Sequence, residues 1–278
     1  MADLEKRGDS TSLPPLSTPM EQGEESSNDL PQKASRLSFL QTYFGVQINT
    51  KHVDLLLLAC CLVTGFVDST LYNAFSTFVS MQTGNTIFVA LGASGQNTRP
   101  FGWAFSLSSI GFFIIGCFAF SRFNSAFGPR RRGTIASSFL LQSVCILIAS
   151  GLIEGGLING SIVAKTSVIQ WNQIAPIALL SFQSAGQIVT SRVLDVGEIP
   201  TVVITSLLCD LFSDPKLFDP PTKNLKRNRR IAAFSLTLLG AIIGGWVSRA
   251  TEGVQTMLWV AGVVKFLLSI TWIFWFSA

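Results

Sequence analysis

Charge is scarce in this sequence. Only 13% of its 278 residues are Asp, Glu, Lys or Arg, while 48% are apolar, and so little charge would leave a soluble globule under-solvated. The expected solvent is lipid. Histidine occurs once, as His52, which argues against metal sites and proton shuttles built on imidazole pairs. The five cysteines, Cys60, Cys61, Cys117, Cys145 and Cys209, lie in apolar runs and form neither a C-x-x-C pair nor a zinc spacing. They read as small buried apolar groups, so no metal and no cofactor is expected. The signatures G-x-S-x-G, H-E-x-x-H and G-x-x-x-x-G-K-[ST] are missing, as is a His-plus-Asp set. The chain is therefore not expected to be an enzyme, and no catalytic residue is assigned. A net charge of +4 resides in loop residues and gives no case for nucleic-acid binding.

What is present begins with a polar tail. Residues 1–50 are rich in Ser, Pro, Glu and Gln with no periodic apolar face, a composition that cannot offset the entropy of ordering, and the tail is expected to be disordered and cytosolic. No apolar stretch follows the charged start before Leu55, so this is not a secretory signal peptide and the first span is expected to act as its own anchor. A transmembrane domain over 51–278 comes next. Its apolar runs are Asp54 to Phe75, Phe78 to Ala93, Phe101 to Phe120, Thr134 to Ile153, Ile169 to Thr190, Pro200 to Phe212, Ile231 to Val247 and Val254 to Phe276. Crossing the hydrocarbon core takes roughly 20 helical residues. The second run, with Ser80, Gln82, Thr83, Asn85 and Thr86, and the sixth, with Pro200, Thr201, Thr205 and Asp210, are short and polar. They are expected to enter the membrane without crossing it.

The fold class that follows is all-α, a polytopic transmembrane helical bundle of about six spans plus two short re-entrant or broken helices. With that layout Lys51, Arg122, Arg130 to Arg132, Arg192 and the basic stretch from Lys216 to Arg230 share one side, and only Arg99, Lys165 and Arg249 fall on the other. The positive-inside rule then places both termini in the cytosol. Trp103, Trp171, Trp246 and Trp259 fall near the outer interface and Trp272 and Trp275 near the inner one, as aromatic belts require. Each half, about 54–153 and 169–276, has the order long span, short polar segment, two further spans. Three crossings per half would invert the second half relative to the first, a 3+3 inverted repeat of the kind found in transporters and channels, with the site near the bilayer midplane.

The most informative stretch is Gly65-Phe66-Val67-Asp68 followed by Ser80-Met81-Gln82-Thr83-Gly84-Asn85-Thr86. It resembles the signature of the YoaK family of membrane proteins, also called domain of unknown function 1275. A later stretch, Ser181-Phe182-Gln183-Ser184-Ala185-Gly186-Gln187 with Ser191-Arg192 and Thr201 to Thr205, is similar to the family's second motif, with Ser184 where asparagine is usual. The resemblance covers about Asp54 to Phe276 and implies a six-span membrane protein of a bacterial and fungal family without an established activity.

Candidate substrate- or ion-binding residues are Asp68, Gln82, Thr83, Gly84, Asn85, Thr86, Gln183, Gln187, Thr201, Thr205 and Lys265. A carboxylate at the depth of Asp68 costs about 3 kcal/mol unless paired or hydrated. Lys265 faces the same problem in the last span, so the two are expected to meet, as a coupling site or as a static ion pair. Gln82 to Thr86 suit a re-entrant turn in which Gly84 permits unusual backbone angles, or side chains that hydrogen-bond neighbouring helices. Arg192, Asp195 and Glu198 read as an interfacial loop with its own ion pairs. Gly240 and Gly244, and more loosely Gly111 and Gly116, are spaced for close helix approach, within the chain or between copies in a homo-oligomer. Lys223 to Arg230 can attract anionic lipids.

The function expected from these features is a small-solute transporter or permease with a polar midplane site, its partners the lipid bilayer and a small solute of unknown identity. Rival readings are a passive channel and a non-transporting scaffold or assembly factor whose tail binds cytosolic partners. Helix N-termini would favour an anion and Asp68 a cation or proton.

Overall fold

The computed structural model of the chain describes residues 42–96, 101–162 and 170–276. The polar tail up to residue 41, Arg99 and Lys165 lie outside the described residues. Within these, the protein is a helical bundle whose only extended pairings are two isolated bridges. In chain order the helices are α1 (Val53–Phe75), α2 (Gln82–Ala93), α3 (Gly102–Phe127), α4 (Arg132–Glu154), α5 (Ile174–Val193, entered through a 3-10 turn at Trp171–Gln173), α6 (Ile204–Phe212), α7 (Leu225–Thr251) and α8 (Gln255–Ile273).

Five of them, α1, α3, α4, α7 and α8, are long and apolar enough to cross a membrane, and the chain is a multi-pass integral membrane protein. Helix α5 is 20 residues long, but Gln183, Ser184, Gln187, Thr190 and Ser191 lower its hydropathy. It still runs the height of α4. Gln173 Nε2 donates to Asn159 O (3.2 Å), just past the end of α4, and Arg130 Nε donates to Val193 O (3.1 Å), just before α4 begins. The polar side chains of α5 face protein, whereas Ile114, Ile115 and Phe118 of α3 and Leu238, Leu239 and Ile242 of α7 are exposed, the inside-out arrangement that lipid permits.

The two halves interlock. Helix α1 packs mainly on α7 of the other half and α3 mainly on α5, while α4 and α8 pack on each other. All three pairs join the halves, and the first two need small residues. A Cβ on Gly65 would lie 2.2 Å from Thr237 O, and one on Gly240 2.3 Å from Leu62 O; on Gly116 it would lie 2.8 Å from Phe182 O. The glycines predicted to admit a neighbour therefore admit one within the chain, except Gly111, which has nothing within 4 Å. The segment before each leading helix also bridges the hairpin between the last two helices of a half. Gln47 pairs with Arg131 at one end of the bundle and Ser161 with Gly253 at the other. The two bridges thus occupy corresponding places in the two halves, at opposite ends of the bundle.

Both short helices return to the end they came from. Helix α1 reaches the end where Phe75 packs with Phe105, Ile153 and Leu258; the chain then turns back until Val79 and Ser80 meet Asp68. Helix α2 climbs outward again until Gly92 abuts Trp103 at the start of α3. Helix α6 does the converse. It starts deep, beside residues of the α2 turn, and finishes at the basic end, where Asp210 and Asp214 reach Arg230.

Candidate functional site

The core is divided. One apolar cluster holds Val63, Ile146, Leu180 and Ala261, and a second holds Leu57, Phe139, Leu194 and Leu268. Between them lies a polar layer contributed by α1, α4, α5 and α8. Lys265 Nζ, fully buried, donates to Gln142 Oε1 (2.7 Å) and Gln187 Oε1 (2.5 Å) and sits 5.1 Å from the centre of the Phe139 ring. Both amides are oriented by further bonds: Gln187 Nε2 donates to Thr64 Oγ1 (2.8 Å) and Gln142 Nε2 to Ser138 Oγ (3.3 Å). Each glutamine thereby presents oxygen to the lysine, which only donates.

Asp68 is not the partner of Lys265. The expected pair fails because each group has a nearer claim on its charge or donors. Asp68 Oδ1 accepts from the backbone N–H of Val79 (2.9 Å) and Ser80 (3.1 Å), and Oδ2 accepts from Ser80 Oγ. The carboxyl thus fastens the turn that precedes α2. Asn85 completes the fastening: its Nδ2 donates to Phe78 O (2.7 Å) while its Oδ1 accepts from Phe78 N (3.1 Å). Gln82 Nε2 donates to Val79 O (3.0 Å), and Ser109 Oγ of α3 donates to Phe78 O (2.8 Å) and contacts Ser181 Oγ of α5 at 2.8 Å. Thr86 Oγ1 bonds back to Gln82 O within α2.

This bracing positions a cavity of about 300 Å³. Ser80 to Gly84, at the start of α2, form one wall, and Val202 to Thr205, at the start of α6, form the opposite wall; Phe78, Phe113 of α3 and Ile188 of α5 supply apolar surface. Two short helices, one from each half, thus turn their N-termini to a common space. Neither N-cap residue, Met81 or Val203, offers a capping side chain. First-turn N–H groups have no intrahelical acceptors and carry the positive end of the helix dipole. Among the described residues no charged side chain lines the space.

The sequence-derived candidates therefore separate. Gln82, Thr83, Gly84 and Thr205 line the cavity. Asp68 and Asn85 brace the turn that carries its wall, and Thr86 bonds only within α2. Gln187 and Lys265 belong to the polar layer. Thr201 and Gln183 are buried, and Thr201 Oγ1 and Gln183 Oε1 have no hydrogen-bond partner among the described residues; Thr201 takes a left-handed φ of 56°. Sequence reasoning missed Gln142 and Ser109, and it quoted Ser181 in the second motif without naming it as a site residue. A lone glutamine within the apolar run Thr134 to Ile153 was a readable signal for Gln142, whereas serines carry none in a bundle.

The basic end shows where surface charge goes. Glu198 pairs with Lys226 of α7 (3.3 Å) and not with Arg192, Arg229 pairs with Asp54 of α1 (3.1 Å), and Arg230 lies 3.8 Å from Asp210 and 3.6 Å from Asp214. Burial pushes the Glu198 carboxyl up, but hydrogen bonds from its own N–H and from Lys226 outweigh this and hold it below the usual range. Arg227 is spent on the carbonyls of Leu217 and Asp219 and on Asn228 Oδ1. Trp272, expected in an interfacial belt, is fully buried against Phe139.

Comparison with curated proteins and with solved structures finds no match. Residues 56–271 match a family model described as "Protein of unknown function (DUF1275)", a span that takes in the α2 turn, the cavity and the polar layer. The chain belongs to the DUF1275 family.

Proposed function

We propose that the protein is a carrier for a small solute that presents an anionic or strongly hydrogen-bond-accepting group to the cavity between α2 and α6. The observation that carries this reading is the meeting of two re-entrant helix N-termini, one from each inverted half, at one space. Such termini are suited to anionic groups because free N–H donors and the dipole act together. Asp68 would have argued for a cation, but its oxygens are engaged by Val79 and Ser80, so that argument loses force. Phe78, Phe113 and Ile188 suit an apolar portion of the solute. No catalytic step is part of this reading. The basic end is assigned to the cytosol on the positive-inside rule, with both termini there.

The test is flux of chloride, nitrate, formate, acetate and lactate in proteoliposomes containing the full chain. At least one probe is expected to show saturable uptake and counterflow, which a passive channel does not give. Thr205→Trp and Gly84→Leu, which fill the space, should reduce that flux at least tenfold while the protein elutes and melts as wild type. No flux of any probe, or flux untouched by both fillings, would remove the proposal.

A further inference from the structure

Helices α3 and α4 are consecutive and antiparallel, yet they scarcely pack on each other; α3 leans on α5 and α4 on α8 and α5. The crevice this leaves contains two cavities. One, of about 440 Å³, opens at the basic end between Phe44, Phe127, Arg131 and Gly133. The other, of about 390 Å³, lies farther along the helices between Phe120, Leu141 and Phe182. Both are lined by Phe123 and Ser137, so they form one trough running from the end of the bundle into its apolar height. Ser137 presents little polarity to it, because its hydroxyl donates to Gly133 O at 2.6 Å.

Arg131 stands at the mouth. Its neighbours are occupied: Arg130 bonds Val193 O, and Arg132 bonds Trp275 O and lies 4.3 Å over the Tyr43 ring. The exposed guanidinium of Arg131 has neither a carboxylate nor a hydrogen-bond acceptor among the described residues. It is also the N-cap position of α4 and supplies no side-chain cap; Arg132 N–H donates to Val46 O (2.9 Å), so the first-turn N–H groups of Gly133 and Thr134 are those that lie next to it without an intrahelical acceptor. An arginine fork beside free N–H donors recognises phosphate. A free phosphate would leave the trough empty, and a neutral lipid would leave the guanidinium unmatched.

We infer that this trough binds one anionic phospholipid, its phosphate at Arg131 and the start of α4 and an acyl chain along Phe123 toward Leu141 and Phe182. This site differs from the basic stretch over Lys223 to Arg230 that the sequence suggested for lipid. Lys226, Arg229 and Arg230 are paired with carboxylates and Arg227 with backbone carbonyls, which withdraws most of that charge from any lipid.

Native mass spectrometry of the detergent-purified full chain, with dioleoyl phosphatidylglycerol and dioleoyl phosphatidylcholine in competition, tests it. Wild type is expected to retain one phosphatidylglycerol in preference to phosphatidylcholine. Arg131→Gln should cut the preference about five-fold, the equivalent of one lipid-facing charge, and Arg131→Lys should keep most of it. Leu141→Trp, at an exposed position in the trough wall, should lower retention of both lipids. Excess inorganic phosphate should displace neither. Equal preference in wild type and a folded Arg131→Gln, undiminished retention in Leu141→Trp, or displacement by phosphate would each overturn the assignment.

Discussion

At Asp68 one carboxyl group meets two backbone N–H donors and the Ser80 hydroxyl, and the chain direction reverses around it. Each buried donor left without an acceptor costs about 1–3 kcal/mol, so the residue is worth most as an acceptor for the turn. That makes the two simple substitutions unequal. Asp68→Asn keeps an oxygen for Val79 and Ser80, and the Ser80 hydroxyl can rotate to accept from the new amide. Asp68→Ala orphans both N–H groups and should destabilise by about 3 kcal/mol. Chemical unfolding in detergent is expected to rank wild type and Asp68→Asn close together with Asp68→Ala well below. If Asp68→Asn falls as far as Asp68→Ala, negative charge and not hydrogen-bond geometry is what the position supplies. Lys265 follows similar logic in reverse: two amide oxygens and an aromatic face receive it, so a donor is satisfied by neutral acceptors without a carboxylate.

Helix α6 and its connection to α7 show how a short element is held. Only Leu207 and Leu211 of α6 are buried, too little apolar surface to seat nine residues by packing alone. The polar contacts beyond its C-terminus make up the difference. Asp214 accepts from Asn224 Nδ2 (3.0 Å) and from the Lys216 N–H (2.9 Å), and it faces Arg230 at 3.6 Å. The Asn224 amide, the Lys216 N–H and the Arg230 charge together hold the Asp214 carboxyl below its ordinary value. A carboxyl depressed in the folded state adds stability above its unfolded pKa of about 3.9 and loses it as pH falls through the lower folded value. Hydrogen exchange over 213–224, corrected for intrinsic rates, should therefore be flat from pH 8 to about pH 5 and accelerate below about pH 4. Asp214→Asn should exchange fast throughout and lose most of the acid response; an unchanged acid response in that variant would shift the role to another carboxylate.

Over the whole molecule the two halves are interleaved, since α1 finds its partner in α7 and α3 in α5. Neither half can bury its leading helix alone. Residues 1–162 or 163–278 expressed singly should be degraded, whereas their co-expression should return a complex that co-purifies and melts within a few degrees of the intact chain; a stable lone half would contradict the interlocking. Much of this was legible beforehand. The long apolar runs, the two short polar ones and the clustered arginines require spans and re-entrant turns, because lipid demands internal satisfaction of every backbone group. The bracing of the α2 turn was half legible, as the types of residue between Asp68 and Asn85 fit it while their partners did not declare themselves. Asp68 and Lys265 both looked like charges in need of each other, and each instead found neutral partners contributed by segments 11 or more positions away. Composition and run length thus determined by themselves that this chain lives in a bilayer and roughly where it crosses, since those are properties of local segments in a uniform solvent. Which helix lies beside which, that two distant N-termini open on one cavity, and that Arg131 has no carboxylate among the described residues were decided only by the tertiary structure, because they depend on contacts between residues that no local pattern relates.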